Sequence, residues 1–373
     1  MRFLTADYLY PLHISPIKNG VLQISDKGEV VAIFKDRRSV PKDKIEIFQG
    51  VLCPGFVNAH CHLELSHLLG IADKGKGLID FVRSAIRKRD DFTNEKIQLT
   101  IEKAEQQMID NGIVAVGDIC NTIDTLYQKK KRKIQYYNFI EAVQIYEEDV
   151  ESTISRNLEI RNKFRQHGLQ ATVVPHSAYS CVPQLLTEIS KISDEQDKIF
   201  TFHNQETPSE NELFSLKSGI MFDWLNKLGA SKVIWEKRNE NSTKSVLTHF
   251  KIRKNFLLVH NTFTKKEEIT NNYYCTCPKA NLYIENTLPD YNIFDDTLLC
   301  VGTDSLASNN SLSILEELKL IQKNSQFDLN TLFKIASKNG AEALGFKELG
   351  TFERGKKPGV NLISDFKKVK VVA

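Results

Sequence analysis

Residues 51–64 read Val51-Leu52-Cys53-Pro54-Gly55-Phe56-Val57-Asn58-Ala59-His60-Cys61-His62-Leu63-Glu64. An apolar run of β character ends in two histidines one residue apart. In an extended strand, side chains at i and i+2 share a face. His60 and His62 therefore aim at one point from the C-terminal end of a strand, beside a Pro-Gly break. Two imidazoles converging in this way suit a metal ion. A site built on them needs further ligands, a proton carrier and a pocket from the rest of the chain.

Beyond this run, apolar strand-like segments alternate with helical ones. After the first strand at 51–58, strands are expected at 112–118, 134–142, 169–176, 198–203, 255–260, 273–277 and 298–304. Leu78, Phe81, Val82 and Ala85 recur at helical spacing. Further helices are expected at 94–110, 147–166, 182–192, 210–228, 243–250, 312–323 and 329–344. The strands are continuous apolar runs, as parallel strands covered on both faces must be. Eight of them alternating with helices predict an α/β fold, a (β/α)8 TIM-type barrel over 51–345. The chain ends differ. Segments 21–25 and 30–34 are strand, turn, strand, and 359–363 and 369–372 are also strand-like. Such pieces are too short to bury a core alone. Segments 1–50 and 346–373 are therefore expected to pair as one small β-sandwich subdomain.

Composition sets bounds on function. Fifty basic residues against 47 acidic ones give a net charge of +3 over 373 residues. That balance argues against a nucleic-acid or membrane-surface partner and leaves a small molecule. The one basic cluster, Lys129-Lys130-Lys131-Arg132-Lys133, is expected on a solvated face. No run approaches the roughly 18 apolar residues of a membrane span. Seven unpaired-looking cysteines and no apolar leader point to reduced thiols and a cytoplasmic protein. Cys275 and Cys277 are expected as small buried residues rather than ligands. The oligomeric state stays open, a homodimer included.

In a barrel of this kind, polar groups at the C-terminal strand ends face a common mouth. Five of the nine histidines lie at such ends: His60, His62, His176, His203 and His260. His13, His67, His167 and His249 lie in loops or helices, His67 with an expected surface role. A single histidine at a strand end is ordinarily a hydrogen-bonded core residue. Five at one mouth, with Asp304 ending the last strand, point to a metal. His60, His62, His203 and Asp304 form the best ligand set. Three imidazoles and a carboxylate suit one divalent ion, Zn2+ first and Fe2+ second. The strand at 169–176 carries no lysine to bridge a second ion, so the site is expected to be mononuclear.

The catalytic roles follow from position. Asp304, beside the metal, can accept a proton from water activated there. Glu206, three residues past His203, can carry a proton to a substrate nitrogen, and His260 can stabilise developing charge. His176 is a neighbour that can touch substrate. Asp118 and Glu141, at the ends of the second and third strands, are rim residues without an assigned role.

These motifs carry a resemblance. Pro54-Gly55-Phe56-Val57-Asn58-Ala59-His60-Cys61-His62-Leu63, Pro175-His176-Ser177-Ala178-Tyr179-Ser180, His203-Asn204-Gln205-Glu206 and Gly302-Thr303-Asp304-Ser305 resemble strand-end motifs of the amidohydrolase superfamily. The likeness is to its metal-dependent aminohydrolase and chlorohydrolase branch, which includes cytosine deaminase-like enzymes. Cys277-Pro278-Lys279-Ala280-Asn281 is similar to the family's C-P-x-S-N, with Ala280 in place of serine. Leu349-Gly350-Thr351-Phe352-Glu353-Arg354-Gly355-Lys356-Lys357 extends the likeness to the C-terminal end. The resemblance implies a metal-dependent hydrolase that deaminates an aminated N-heterocycle through a metal-activated water. The stretch His62-Leu63-Glu64-Leu65-Ser66 resembles deaminases of adenine-containing nucleosides, aminodeoxyfutalosine deaminases among them. His176, Glu64, Asn281 and Ser305 are the expected substrate contacts. An amide, imine or carbon–halogen hydrolase is the alternative, and a non-catalytic scaffold of the same fold a remote one.

Overall fold

The chain changes sheets at Gly55. In the computed structural model, which describes residues 1–89, 91–194, 196–230, 241–250 and 255–373, the run expected as one strand is two. Val51–Pro54 pairs antiparallel with Val360–Ser364 and parallel with Tyr8–Leu9. Phe56–Cys61 pairs parallel with Ile113–Cys120. A Cβ on residue 55 would lie 2.4 Å from Val114 Cγ1 and 2.7 Å from the Pro358 carbonyl oxygen. Only a residue without a side chain passes between the two sheets there.

In chain order the strands are β1 (Arg2–Thr5), β2 (Tyr8–Leu9), β3 (Ile17–Lys18), β4 (Val21–Ile24), β5 (Val30–Phe34), β6 (Ile45–Ile47) and β7 (Val51–Pro54). Then come β8 (Phe56–Cys61), β9 (Ile113–Cys120), β10 (Gln135–Ala142), β11 (Gln170–Pro175), β12 (Ile199–Asn204), β13 (Asn255–His260), β14 (Tyr273–Thr276) and β15 (Leu299–Val301). The last two are β16 (Val360–Ser364) and β17 (Lys368–Val371). The chain ends form two sheets, ordered β5-β4-β1-β6 and β17-β16-β7-β2-β3. Leu4, Leu9, Leu22, Leu52, Phe352 and Leu362 pack into a small apolar core between them.

The remaining eight strands form two parallel sheets, ordered β11-β10-β9-β8 and β12-β13-β14-β15. Helices such as Asn94–Asp110, Val150–Gln166 and Pro183–Ile192 connect successive strands. Every residue of β8 and of β12 is buried, which explains their unbroken apolar character. Hydrogen bonds join the two sheets at both edges. His203 N donates to the His176 carbonyl at 2.8 Å, and Thr303 N and Asp304 N each donate to the His60 carbonyl at 3.1 Å. A Cβ on Gly302 would lie 2.7 Å from that same oxygen, so glycine is needed for this approach.

Several elements differ from expectation. The strand expected at 298–304 is only Leu299–Val301, because the next residues leave the ladder to bond His60. The helix expected at 210–228 breaks into Pro208–Leu216 and Ile220–Lys227 at Gly219, which has φ 92°. Lys129, expected on a solvated face, is completely buried, while Lys130 to Lys133 are exposed. His67, expected at the surface, is buried with its ring edge-on to Phe92 at 5.1 Å. All seven cysteines are buried free thiols. Among the described residues, no helix is long and apolar enough to cross a membrane.

Candidate metal centre and active site

Strand ends deliver the site. His60 is the penultimate residue of β8 and His62 directly follows the strand, so both rings project to one side. The backbone turns into the left-handed region at Gln205, His260 and Asp304, with φ of 47°, 71° and 56°. Non-glycine residues adopt this conformation only where the surroundings hold them in it. Here it ends β12 and β13 sharply and redirects the chain beyond β15 at the mouth of the sheet.

The rings meet closely. His62 Nε2 lies 3.1 Å from His60 Nε2 and 3.2 Å from His203 Nε2. Asp304 Oδ1 lies 3.6 Å from His60 Nε2 and 3.4 Å from His62 Nε2. His203 Nδ1 faces the His176 carbonyl at 3.0 Å. That contact puts the ring proton on Nδ1 and leaves Nε2 with its lone pair toward the cluster. Among the described residues, His60, His62 and His203 form one group spaced to hold a metal, and His60, His260 and Asp304 another. The donor set of three nitrogens and a carboxylate fits a zinc-type ion. The buried Nδ1 of His62 and Nε2 of His260 have no hydrogen-bond partner in the protein.

Burial shapes the charges. It pushes the His62 ring down to about 3, the neighbouring imidazoles adding to the effect and Asp304 opposing it. His260 and His176 are held at about 4, chiefly by burial. His203 falls well below the ordinary histidine value for the same reason, with the rings of His176 and His60 contributing. Burial would raise Asp304, but the imidazoles of His60, His62 and His260 outweigh it and hold the carboxyl below the usual range. Glu206 goes the other way. Burial first, then the carboxylates of Asp304 and Glu210, push it well above the ordinary value. Both Glu210 oxygens clamp the backbone of this turn, accepting Gln205 N at 3.0 Å and Glu206 N at 3.2 Å.

A cavity of about 160 Å³ opens above these groups. His62, His203, Asp304, Glu206, His260, His176 and Ser305 line its polar side. Leu65, Leu68, Leu78, Phe81, Val82 and Ala85 form an apolar wall opposite. Two of the expected substrate contacts stand elsewhere. Glu64 is buried against backbone, accepting Asn121 N and Thr122 N at 3.0 Å each and pairing with Arg89 at 3.2 Å. Asn281 Oδ1 sits 2.8 Å from His260 Nδ1 and so orients that ring rather than lining the cavity.

Other groups had no role assigned from the sequence. Glu141 lines the cavity 3.5 Å from His203 Nδ1 and accepts Asn121 Nδ2 at 3.0 Å. Burial pushes it up to about 7. Its place at a strand end was the available signal, but no motif marked it. Ser308 donates to Asp304 Oδ2, a contact four residues along that a turn creates. Asp118 does not reach the cavity; it pairs with Lys129 beneath the strand end.

The model of a family described as the amidohydrolase family matches residues 51–372. The chain belongs to the amidohydrolase family. The motif resemblance is thereby borne out. This amidohydrolase is 28% identical over 326 residues to the aminodeoxyfutalosine deaminase of Nitratiruptor sp., covering 84% of this chain and 78% of that one. It is 25% identical over 338 residues to the 5'-deoxyadenosine deaminase of Methanosphaera stadtmanae, covering 84% and 74%. The crystal structure of Helicobacter pylori aminofutalosine deaminase in complex with methylthio-coformycin shares the fold. It superposes with a TM-score of 0.82 at 22% identity, covering 99% of this chain and 93% of that one.

Proposed function

We propose that this amidohydrolase removes the amino group of an adenine-like ring in a nucleoside, replacing it with oxygen from water and releasing ammonia. One observation carries the reading. Three imidazole Nε2 atoms and the Asp304 carboxylate converge on one point at a cavity floor, with a buried acid, Glu206, beside them. His60, His62, His203 and Asp304 would hold one zinc ion. A divalent ion in this donor set supplies Lewis acidity and lowers the pKa of a coordinated water toward about 7.

The protein groups divide the proton work. Asp304, held ionised, accepts the proton of the attacking water at its carboxylate. Glu206, held protonated by burial, donates to a ring nitrogen and so draws electrons from the carbon under attack. Two carboxyls pushed in opposite directions are the usual mark of an acid and base pair. His260, oriented by Asn281, hydrogen-bonds the attacking oxygen. His176 and Ser305 line the cavity and contact the heterocycle. The amine leaves as ammonia after taking up the proton that Asp304 received, and the proton left on the new hydroxyl returns to Glu206 as the ring C=O forms.

The site's frame belongs to the same proposal. The two parallel four-stranded sheets close into one (β/α)8 barrel, with the metal at the C-terminal mouth. The paired edges at His176–His203 and His60–Thr303 support closure. The chain ends, joined by Val51–Pro54, form a β-sandwich subdomain outside the reaction. The protein works on a small molecule in the cytoplasm.

The deciding experiment measures ammonia release, and chloride release from the triazine, by metal-analysed protein. The panel holds adenosine, 5'-deoxyadenosine, methylthioadenosine, guanine, cytosine and a chlorinated triazine. Release from adenine nucleosides with about one zinc per chain is expected. Full activity in metal-free protein, or turnover of the triazine alone, overturns the reading.

A further inference from the structure

Lys129 is completely buried, and so is its partner Asp118. Its ammonium contacts Asp118 Oδ2 most closely and lies 2.7 Å from Asn138 Oδ1 and 3.2 Å from Cys120 Sγ. The rings of Tyr136 and Phe164 flank it at 4.9 and 5.3 Å. Burying an ammonium is expensive unless it is paired and hydrogen-bonded. The proposed mechanism uses none of these groups.

The second oxygen of Asp118 shows what the pair holds. Oδ1 accepts the backbone N–H of Leu63 at 2.8 Å, and Leu63 follows His62. The β8–β9 ladder slips here. Asn58 pairs with Val116, and the next paired residues are Cys61 and Asp118. Three steps on one strand thus span two on the other, an irregularity of the bulge type that re-aims side chains. The slip falls across His60, between the paired residues. The Asp118 carboxylate gives the backbone just past His62 a fixed hydrogen bond where the strand ends.

We propose that Asp118 and Lys129 are positioning residues for the His60–His62 arm of the metal centre. Asp118 pins the Leu63 N–H and so sets the backbone angle at His62. Lys129, with Asn138, holds the Asp118 carboxylate in the orientation that does so. The inference rests on the metal-centre reading above.

Two double variants separate this role from that of a simple buried ion pair. Both remove both charges. Asp118→Asn/Lys129→Met keeps an oxygen that can accept from Leu63 N. Asp118→Leu/Lys129→Met fills a similar volume without an acceptor; Asp118→Ala/Lys129→Met replaces it should the leucine form not fold. The readout is the Zn2+ dissociation constant of each metal-free protein, by competition with a chromophoric chelator below its melting transition. The asparagine form should bind within about threefold of the wild type, and the acceptor-free form about ten- to hundredfold more weakly, the usual range for partners behind a ligand. Equal affinities in all three proteins, or equal losses in both variants, overturn the proposal. Wild-type protein that binds no zinc overturns it together with the metal-centre reading. Zinc binding without deamination leaves it standing while the substrate reading fails.

Discussion

Glu206 Oε1 stands 3.5 Å from His260 Nε2, and both side chains are buried. Asn281 Oδ1 faces the other ring nitrogen at 2.8 Å, so His260 carries its proton on Nδ1 and presents a lone pair to Glu206. A carboxyl whose proton affinity burial raises thus stands beside a neutral ring nitrogen at the cavity edge, with no hydrogen bond joining them in the resting site. Glu206→Gln keeps the shape and removes the transferable proton. Zinc content and melting temperature should stay near wild-type values while kcat falls at least about a hundredfold, the low end for a lost acid–base group. Unchanged turnover would remove Glu206 from the mechanism.

Acidity should weaken the metal-free protein through His260. Burial holds this ring at about 4 against an ordinary 6.5. Above the ordinary value the ring is neutral both folded and unfolded, and there is no penalty. As the pH falls from there toward 4, the unfolded chain takes up the proton first and the folded state loses at most roughly 3 kcal/mol. Buried carboxyls such as Glu141, raised to about 7, tilt stability the opposite way, so the comparison must be with a variant. The stability of wild type relative to His260→Gln should be flat at neutral pH and fall through this window. Urea unfolding of chelator-treated protein at a series of pH values measures it, and a flat difference throughout would refute the linkage.

Metal removal should show in stability as well as in rate. His60 and His203 bring their Nε2 atoms to 3.1 and 3.2 Å from His62 Nε2, an arrangement a shared cation relieves. At a hundredfold excess over its dissociation constant, zinc should stabilise the fold by about 2.7 kcal/mol. Dialysis against chelator should lower the melting temperature and abolish turnover, and one equivalent of zinc should restore both. A melting temperature indifferent to chelator and zinc would speak against the site.

The strand-end histidines were legible because a period of two forces His60 and His62 to one side, and a parallel sheet sends every strand end to one edge. The two parallel sheets followed from unbroken apolar runs for the same reason. What stayed hidden depended on tertiary burial. Lys129 sits in a run of five basic residues, which by composition alone belongs at the surface. Its burial arises because the helix Leu126–Lys129 ends over Tyr136 and Phe164. The break at Gly55 was masked by apolar residues on both sides, since two strands in different sheets have the same composition as one. Glu64 is an expected substrate contact from the motif resemblance of His62-Leu63-Glu64-Leu65-Ser66. Backbone amides of a distant loop, at Asn121 and Thr122, claim its oxygens instead.

The apolar wall should select substrates by their far end. Leu78, Phe81, Val82 and Ala85 come from one helix and face the cavity. Phe81 is the largest, and covering it with substrate stabilises by roughly 1.5–3 kcal/mol. Phe81→Ala should raise KM about tenfold or more for 5'-deoxyadenosine and methylthioadenosine, with a smaller effect on kcat. Adenosine, with a polar 5' hydroxyl, should be affected less. Equal changes for all three nucleosides would mean that the wall does not contact that end of the molecule.

Lys129→Met alone should be worse for the fold than removing both charges. The single change leaves the fully buried Asp118 carboxyl without its ammonium partner, with only Leu63 N and neutral neighbours around it. Breaking one side of a buried pair typically costs about 3–5 kcal/mol, whereas replacing both partners is often nearly neutral. The single variant should therefore melt well below wild type, and adding Asp118→Asn should recover most of the loss. Denaturant unfolding of the metal-free proteins checks the order. If the double variant is as unstable as the single one, Lys129 contributes by packing its alkyl stem between Tyr136 and Phe164 rather than by its charge.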